Sequence, residues 1–140
     1  MQLHTESLQV LDKISSTTPD KRIIFVSGNF NILHPGHLRL LRFARECGDY
    51  LVVGVLCQTS PGTFLPEELR LESVQSINWV NYAFLLHDPP EHFVEALQPA
   101  IVVKGKGHGR LHNPEAEVYG SVSCQMRHLV GENHTPFHNE

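Results

Sequence analysis

The chain has 140 residues, of which 41% are hydrophobic, and a formal net charge of -4. This length fits one domain with a real hydrophobic core, and the acidic balance excludes general nucleic-acid affinity, which requires a basic face. The sequence contains no run of about 18 apolar residues that could span a membrane, and its N-terminus lacks the basic start and apolar stretch of a signal peptide.

Apolar residues alternate between strand-like and helix-like spacing along most of the chain. Leu8, Leu11 and Ile14 recur at helical spacing and predict a leading helix over 6–15, which we expect to pack against the sheet edge or a partner subunit. Further on, the pattern predicts strands over 23–26, 50–56, 80–86 and 101–103, and helices over 38–45, 66–78 and 91–97. The alternation predicts a Rossmann-like, doubly wound parallel sheet with helices on both faces, a three-layer α/β/α fold.

The turn between the first strand and the next helix has the composition of a ligand site. It runs from Gly28 to His37, and Gly36 and Pro35 suit a sharp turn into a helix. His34 and His37 are three residues apart and can point to one side, at the positive end of the helix dipole, where phosphate binds readily. The alternative is that two polar turn residues happen to be histidine, and the His-Pro-Gly-His pattern after a buried strand disfavours it.

This stretch closely resembles the signature of the nucleotidylyltransferase superfamily, a Gly-x-Phe-Asp-x-x-His-x-Gly-His segment (the HxGH motif) that binds the nucleoside triphosphate. The resemblance implies catalytic roles for His34 and His37. It implies nucleotide-binding roles for the other turn residues, Gly28, Asn29, Phe30, Asn31 and Gly36. Asn31 stands where many members have Asp, so its side chain can form hydrogen bonds but lacks the charge that would serve a metal or substrate.

Lys104 directly follows the last predicted strand, so the fold aims it into the same crevice as the histidines. A lysine there is a point charge suited to phosphate, and the alternative is a solvated lysine at a strand end. In the cytidylyl- and adenylyltransferases that the chain resembles, a Lys-Gly pair at this place lies beside the nucleotide. The resemblance therefore implies a catalytic Lys104 and a nucleotide-binding Gly105, with His108 as a further nucleotide-binding candidate.

Arg70 lies early in the predicted helix over 66–78, four residues before Val74 and seven before Ile77, and so on its inward-facing stripe. An arginine there could contact the nucleotide or the phosphate of a second substrate. The resemblance implies the same, because an arginine at the start of this helix is common in the heptose-phosphate and glycerol-phosphate nucleotidylyltransferases. The alternative is a rim arginine whose stem covers apolar surface.

Residues 22–115 are similar to the cytidylyltransferase-like family, above all to heptose-phosphate adenylyltransferase domains and glycerol-3-phosphate cytidylyltransferase. The implied reaction is attack by a phosphate oxygen of a small phosphorylated sugar or polyol on the α-phosphorus of ATP or CTP, with release of pyrophosphate. Mg²⁺ would arrive with the triphosphate and needs no dedicated cage. We further expect a homodimer, and three cysteines without a Cys-x-x-Cys pair predict reduced thiols in a cytoplasmic protein.

The periodicity fades after about residue 110. We assign residues 1–115 to the nucleotidylyltransferase-like domain, with 1–20 as leading helix and linker. Residues 116–140 are assigned to a polar, histidine-rich tail that could cover the site, pair with a neighbour or be partly disordered. Its histidines lack zinc-site spacing, so no metal site is predicted.

The Ser/Thr-rich segment that closes over the triphosphate in family members is not found in residues 118–140. The alternative to an enzyme is therefore a nucleotide-binding module, or a truncated domain of a larger protein, with little turnover. A third possibility is a pantetheine-phosphate or nicotinate-nucleotide adenylyltransferase, and both the missing C-terminal motif and the Lys104-Gly105 match count against it.

Overall fold

The computed structural model of the chain describes residues 2–57, 65–104 and 125–128. In chain order these residues form α1 (Thr5–Thr17), β1 (Ile23–Gly28), α2 (Pro35–Glu46), β2 (Tyr50–Leu56), α3 (Glu67–Gln75), β3 (Tyr82–Leu86), α4 (Pro90–Leu97), β4 (Ile101–Lys104) and β5 (Gln125–His128). Every helix and strand predicted from the apolar spacing is present, with ends that move by a few residues. Among the described helices, none is both long and apolar enough to cross a membrane.

The five strands form one parallel sheet in the order β3-β2-β1-β4-β5. This order confirms the predicted doubly wound sheet, since the chain adds strands outward from β1 in one direction and then returns to add β4 on the other side. β5 was not predicted. It lies within the stretch assigned to the tail and pairs with β4, with Gln125 opposite Ile101. Its sequence, Gln-Met-Arg-His, lacks the β-branched run that identifies the other strands.

Helices cover both faces of the sheet, because alternate strand residues point to opposite sides. On one face, Ile24 and Leu51 pack with residues of α2 and α3, including Leu41 and Val74. On the other face, the core consists of residues from the strands and from α1 and α4: Val10, Ile14, Phe25, Val52, Phe84, Leu86, Phe93, Val94 and Val102. The three-layer arrangement predicted from the sequence is therefore present.

The leading helix α1 packs over the face of the sheet rather than beside its edge. Val10 and Ile14 are buried in the core that includes Phe84 of β3, which is the edge strand. The start of α1 is tied to the residues after β3, where the Asp88 carboxylate accepts hydrogen bonds from the His4 backbone N–H at 3.0 Å and the Ser7 hydroxyl at 2.7 Å. These two bonds fix α1 at the carboxyl end of the sheet.

Candidate functional site

The candidate site lies where the strand order reverses. β1 ends at Gly28 and leads into the signature turn, residues 28–37, while the neighbouring β4 ends at Lys104. Ile24 lies opposite Ile101, so the same register puts the backbone of Lys104 level with Ser27, just before the turn. In open α/β sheets the crevice at such a point is where ligands bind. Gly105 and His108 lie outside the described residues.

His34 and His37 cap the start of α2 reciprocally. His34 is the N-cap residue, and its Nδ1 accepts the Gly36 backbone N–H at 3.0 Å. His37 Nδ1 accepts the His34 backbone N–H at 3.3 Å, which completes a capping box with histidines in place of the usual Ser and Glu. Since each Nδ1 is an acceptor, each neutral ring carries its proton on Nε2, the atom that can donate to a ligand.

This cap changes one expectation about the helix start. The first backbone N–H groups of a helix usually lack intrahelical partners and can bind an anion. Pro35 has no N–H, the Gly36 N–H bonds to the His34 ring, and the His37 N–H bonds to the His34 carbonyl at 2.9 Å. At the first residues of α2, the donors left for an anion are therefore imidazole groups more than backbone groups.

Phe30 supports the two imidazoles from within the core. The His34 and His37 ring centroids are 4.0 Å apart, and the Phe30 ring lies 5.5 Å from His37. Phe30 is 4% exposed and has a φ of 49°, in the left-handed region that side chains other than glycine rarely adopt. Burial of the ring offsets the backbone cost of about 1 kcal/mol. The turn therefore holds both rings side by side, as predicted from their spacing.

Gly36 leaves the space that the His34 ring occupies, since a Cβ at this position would lie 2.8 Å from His34 Cε1. We predict that Gly36→Ala displaces the ring and weakens the nucleotide binding that the resemblance implies about tenfold or more, because a shift of about 1 Å in a positioned group is costly. Alanine is the better helix former, so the free energy of unfolding should stay within about 1 kcal/mol of its original value. Calorimetric titration and urea denaturation measure the two quantities, and unchanged binding would contradict the prediction.

Arg70 is fully buried, at 0% exposure, and is not a rim residue. Its guanidinium donates from Nη1 to the carbonyls of Asn29 at 2.9 Å and Leu56 at 2.8 Å, and from Nε to the carbonyl of Leu65 at 3.0 Å. These carbonyls belong to the signature turn, the end of β2 and the approach to α3. Arg70 therefore clamps three segments that surround the crevice, while its direct contact with a nucleotide stays a prediction.

Asn31 completes this clamp. Its side-chain Oδ1 accepts the Leu65 backbone N–H at 3.0 Å, so both backbone groups of Leu65 are held, one by Asn31 and the other by Arg70. The amide at this position thus ties the signature turn to the start of α3. Gly28 is constrained by contact as well, since a Cβ there would lie 3.2 Å from the Phe30 ring.

A second group of polar side chains, not predicted from the sequence, lies where the start of α1 meets the ends of β2 and β3. His87 Nε2 is 3.0 Å from Glu6 Oε1 and 3.8 Å from Cys57 Sγ, and the His4 ring stacks on His87 with centroids 4.0 Å apart. We call His4, Glu6, Cys57 and His87 the four-residue cluster. Its members come from three stretches of the chain, around residues 4–6, 57 and 87, so no local spacing pattern could have revealed it.

The Cys57 thiol is half-buried and lies beside the Glu67 carboxylate. Burial, followed by the nearby Glu67 carboxylate, raises the pKa of Cys57 to about 12. The thiolate is the nucleophile, so we predict that iodoacetamide alkylates Cys57 about a thousandfold more slowly at pH 8 than an ordinary thiol. Because the pKa is raised, the rate should keep increasing with pH, without levelling off, between about pH 7 and pH 10. Peptide mass spectrometry measures this rate. Glu67→Gln should increase it, and a plateau near pH 9 would contradict the prediction.

Comparison with known proteins identifies relatives of the whole described core. Residues 25–130 match the model of the cytidylyltransferase-like family. The chain is 31% identical over 137 residues to the bifunctional protein HldE of Helicobacter pylori, covering 92% of this chain and 28% of that protein. It is 36% identical over 93 residues to HldE of Nitratiruptor sp., and the match covers 61% of this chain and 20% of that protein. The chain thus spans about a quarter of the length of these curated relatives.

Two solved structures share the fold. A lipopolysaccharide core biosynthesis protein from Thermoplasma volcanium superposes with a TM-score of 0.67 at 24% identity, covering 77% of this chain and 95% of that one. Pantothenate synthetase from Thermus thermophilus superposes with a TM-score of 0.58 at 16% identity, and the superposition covers 84% of this chain and 59% of that one. The family match extends over most of the chain, from within β1 to just past β5, and includes the signature turn. The chain therefore belongs to the cytidylyltransferase-like family.

Proposed function

We propose that this chain transfers AMP or CMP from ATP or CTP to a small phosphorylated sugar or polyol and releases pyrophosphate. The observation that carries the proposal is the reciprocal cap of His34 and His37 at the switch point of the sheet. It fixes two neighbouring imidazoles so that each neutral ring has its donor on Nε2. Membership of the cytidylyltransferase-like family supports the reaction class.

In the proposed reaction, an acceptor phosphate oxygen forms a bond to the α-phosphorus, and the bond from that phosphorus to the bridging oxygen breaks. Negative charge grows on the phosphate oxygens as pyrophosphate leaves. The imidazole donors of His34 and His37, with Lys104 at the end of β4, would stabilise that charge. The protein's contribution is positioning and electrostatics, without a covalent enzyme intermediate.

The residues of this site fit a Mg²⁺ ion that would bind together with the nucleoside triphosphate. No residue from 28 to 37 is a carboxylate, and Asn31 Oδ1 already accepts the Leu65 N–H. The ion would therefore be held by phosphate oxygens and water, as is usual for Mg²⁺ bound with a nucleotide. When bound, it would neutralise charge on the phosphates.

The test is pyrophosphate release by the purified chain with ATP or CTP, Mg²⁺ and a panel of phosphorylated sugars and polyols, alongside calorimetric titration with each nucleotide. We expect one nucleotide to bind and pyrophosphate release to require one class of acceptor. If neither nucleotide binds at millimolar concentration, the proposal is wrong for this chain.

The second candidate is a nucleotide-binding module with little turnover. It is favoured by one observation, the lack of the family's Ser/Thr-rich segment in residues 118–140. Nucleotide binding that is lost in His34→Ala, with no pyrophosphate release for any acceptor, would support the module and count against the enzyme.

A further inference from the structure

The four-residue cluster joins three parts of the fold at the carboxyl end of the sheet. His4 and Glu6 belong to the start of α1, Cys57 directly follows β2, and His87 directly follows β3. The ends of β2 and β3 are held together by the Cys57 backbone N–H, which donates to the Leu86 carbonyl at 3.2 Å. The side chains of the cluster are therefore brought together by rigid elements.

The side chains of the cluster are all metal ligands when deprotonated: two imidazoles, one carboxylate and one thiol. One ligand atom each from His4, Glu6 and His87 lies within 4.8 Å of the others, and Cys57 Sγ lies 3.8 Å from His87 Nε2. Neighbouring ligands of a tetrahedral zinc ion lie about 3.3 to 3.6 Å apart, given its bond lengths to nitrogen and sulfur. His4, Glu6 and His87 would therefore close around an ion with shifts of about 1 Å. Cys57 approaches these three side chains through His87, and a larger rotation of its side chain would bring the thiol to the ion.

The surroundings favour a cation. The Glu67 carboxylate lies beside the Cys57 thiol, and the Asp88 carboxylate lies next to His87 in the chain and holds the Ser7 hydroxyl. Arg70 is the cation that acts on Cys57 from the interior. Three carboxylates, those of Glu6, Glu67 and Asp88, thus lie near the cluster against one guanidinium, and the local charge is negative.

The four side chains differ in how easily they would become ligands of a metal ion. Glu6, His87 and Cys57 make contacts that involve exchangeable protons, which an ion replaces on binding. His4 Nδ1 accepts the Glu6 backbone N–H at 3.0 Å, so ligation through that nitrogen would cost this N-cap bond. His4 is therefore the weakest of the four ligands.

We propose that the four-residue cluster binds one divalent transition-metal ion, which ties the start of α1 to the ends of β2 and β3. The mixture of imidazole, thiolate and carboxylate selects a zinc-like ion rather than Mg²⁺ or Ca²⁺, which prefer oxygen ligands. An ion bound there would stabilise the fold by binding only the folded chain.

The test is titration of the metal-free full chain with Co²⁺, whose absorption reports its ligands. We expect one ion per chain, visible bands of a tetrahedral complex, and a near-ultraviolet band from sulfur-to-cobalt charge transfer. Cys57→Ser should lose the charge-transfer band. His87→Asn should weaken binding at least about tenfold and His4→Ala less, and Zn²⁺ should raise the midpoint of thermal unfolding in the unmodified chain but not in His87→Asn.

The matched control is His92→Asn, which removes a histidine of α4 outside the cluster and should leave Co²⁺ binding unchanged. Circular dichroism establishes that His87→Asn is folded. The proposal is overturned if the chain binds no Co²⁺ at millimolar concentration, if the charge-transfer band is absent, or if His87→Asn binds as tightly as the unmodified chain. The last result would assign binding to other histidines of the chain.

Discussion

Replacing Arg70 by alanine is expected to lower the free energy of unfolding by about 3 to 5 kcal/mol. The change leaves the carbonyls of Asn29, Leu56 and Leu65 without their donors inside the protein, and each unsatisfied buried group costs about 1 to 3 kcal/mol. Water entering the space left by the side chain recovers part of that cost, which keeps the total near the range for breaking a buried charged contact. Urea denaturation followed by circular dichroism measures the effect.

The matched control is Arg42→Ala on α2. Arg42 has a side chain 58% exposed, and its contact is an exposed ion pair to Glu46 at 3.4 Å. Such pairs contribute little, so we expect a change within about 0.5 kcal/mol. Arg70→Lys should be intermediate, because lysine keeps the charge but cannot reproduce the planar fork that reaches carbonyls in different directions. If Arg70→Ala lowers the free energy of unfolding by less than about 1 kcal/mol, then the three hydrogen bonds of Arg70 do not hold the signature turn, the end of β2 and the start of α3 together.

Replacing His34 by asparagine is expected to separate the capping role of this residue from its proposed catalytic role. Asparagine is among the best N-cap residues, so the free energy of unfolding should change by less than about 0.5 kcal/mol. The imidazole Nε2 donor is lost, and removing one such donor to a developing oxyanion reduces kcat by about 10² to 10³. Pyrophosphate release and urea denaturation of the same preparation measure the two effects.

Two further variants, His34→Ala and His92→Asn, serve as comparisons. His34→Ala should lose the cap as well and be destabilised by about 0.5 to 2 kcal/mol, in addition to the loss of rate. His92→Asn, far from the signature turn in sequence, should keep the full rate. If His34→Asn also keeps the full rate, then His34 acts as a cap alone and the proposed assignment of the imidazole to phosphate is wrong.

The helices and strands that have a regular spacing of apolar residues could be predicted from the sequence. The run from Tyr50 to Leu56 is apolar almost throughout, and β2 has those bounds. The helix predicted over 66–78 ends at Gln75, because Ser76 and the residues after it form tight turns that lead to β3. β5 was missed because its side chains are mostly polar, and its place in the sheet depends on backbone pairing with β4.

The candidate site was predictable only where its residues are close in sequence. The side-by-side position of His34 and His37 follows from their spacing, and the rings do lie 4.0 Å apart. The partners of Arg70 are up to 41 residues away, and two of its three acceptors precede it by many residues. Helical spacing placed Arg70 on the inward-facing stripe of α3, but the backbone carbonyls that it binds cannot be identified from residue types, so the clamp could not be inferred.

The attachment of α1 to Asp88 has a consequence for the order in which the chain folds. The two groups joined by the His4 bond are 84 residues apart, so this contact forms only after β1, β2 and β3 have been synthesised. A 13-residue helix is marginal alone, and closing so long a loop is slow. During synthesis α1 should thus emerge before the strands that it covers and dock on them only after they are complete. Until then Phe25, Val52 and Phe84 stay partly uncovered, which exposes the nascent chain to aggregation.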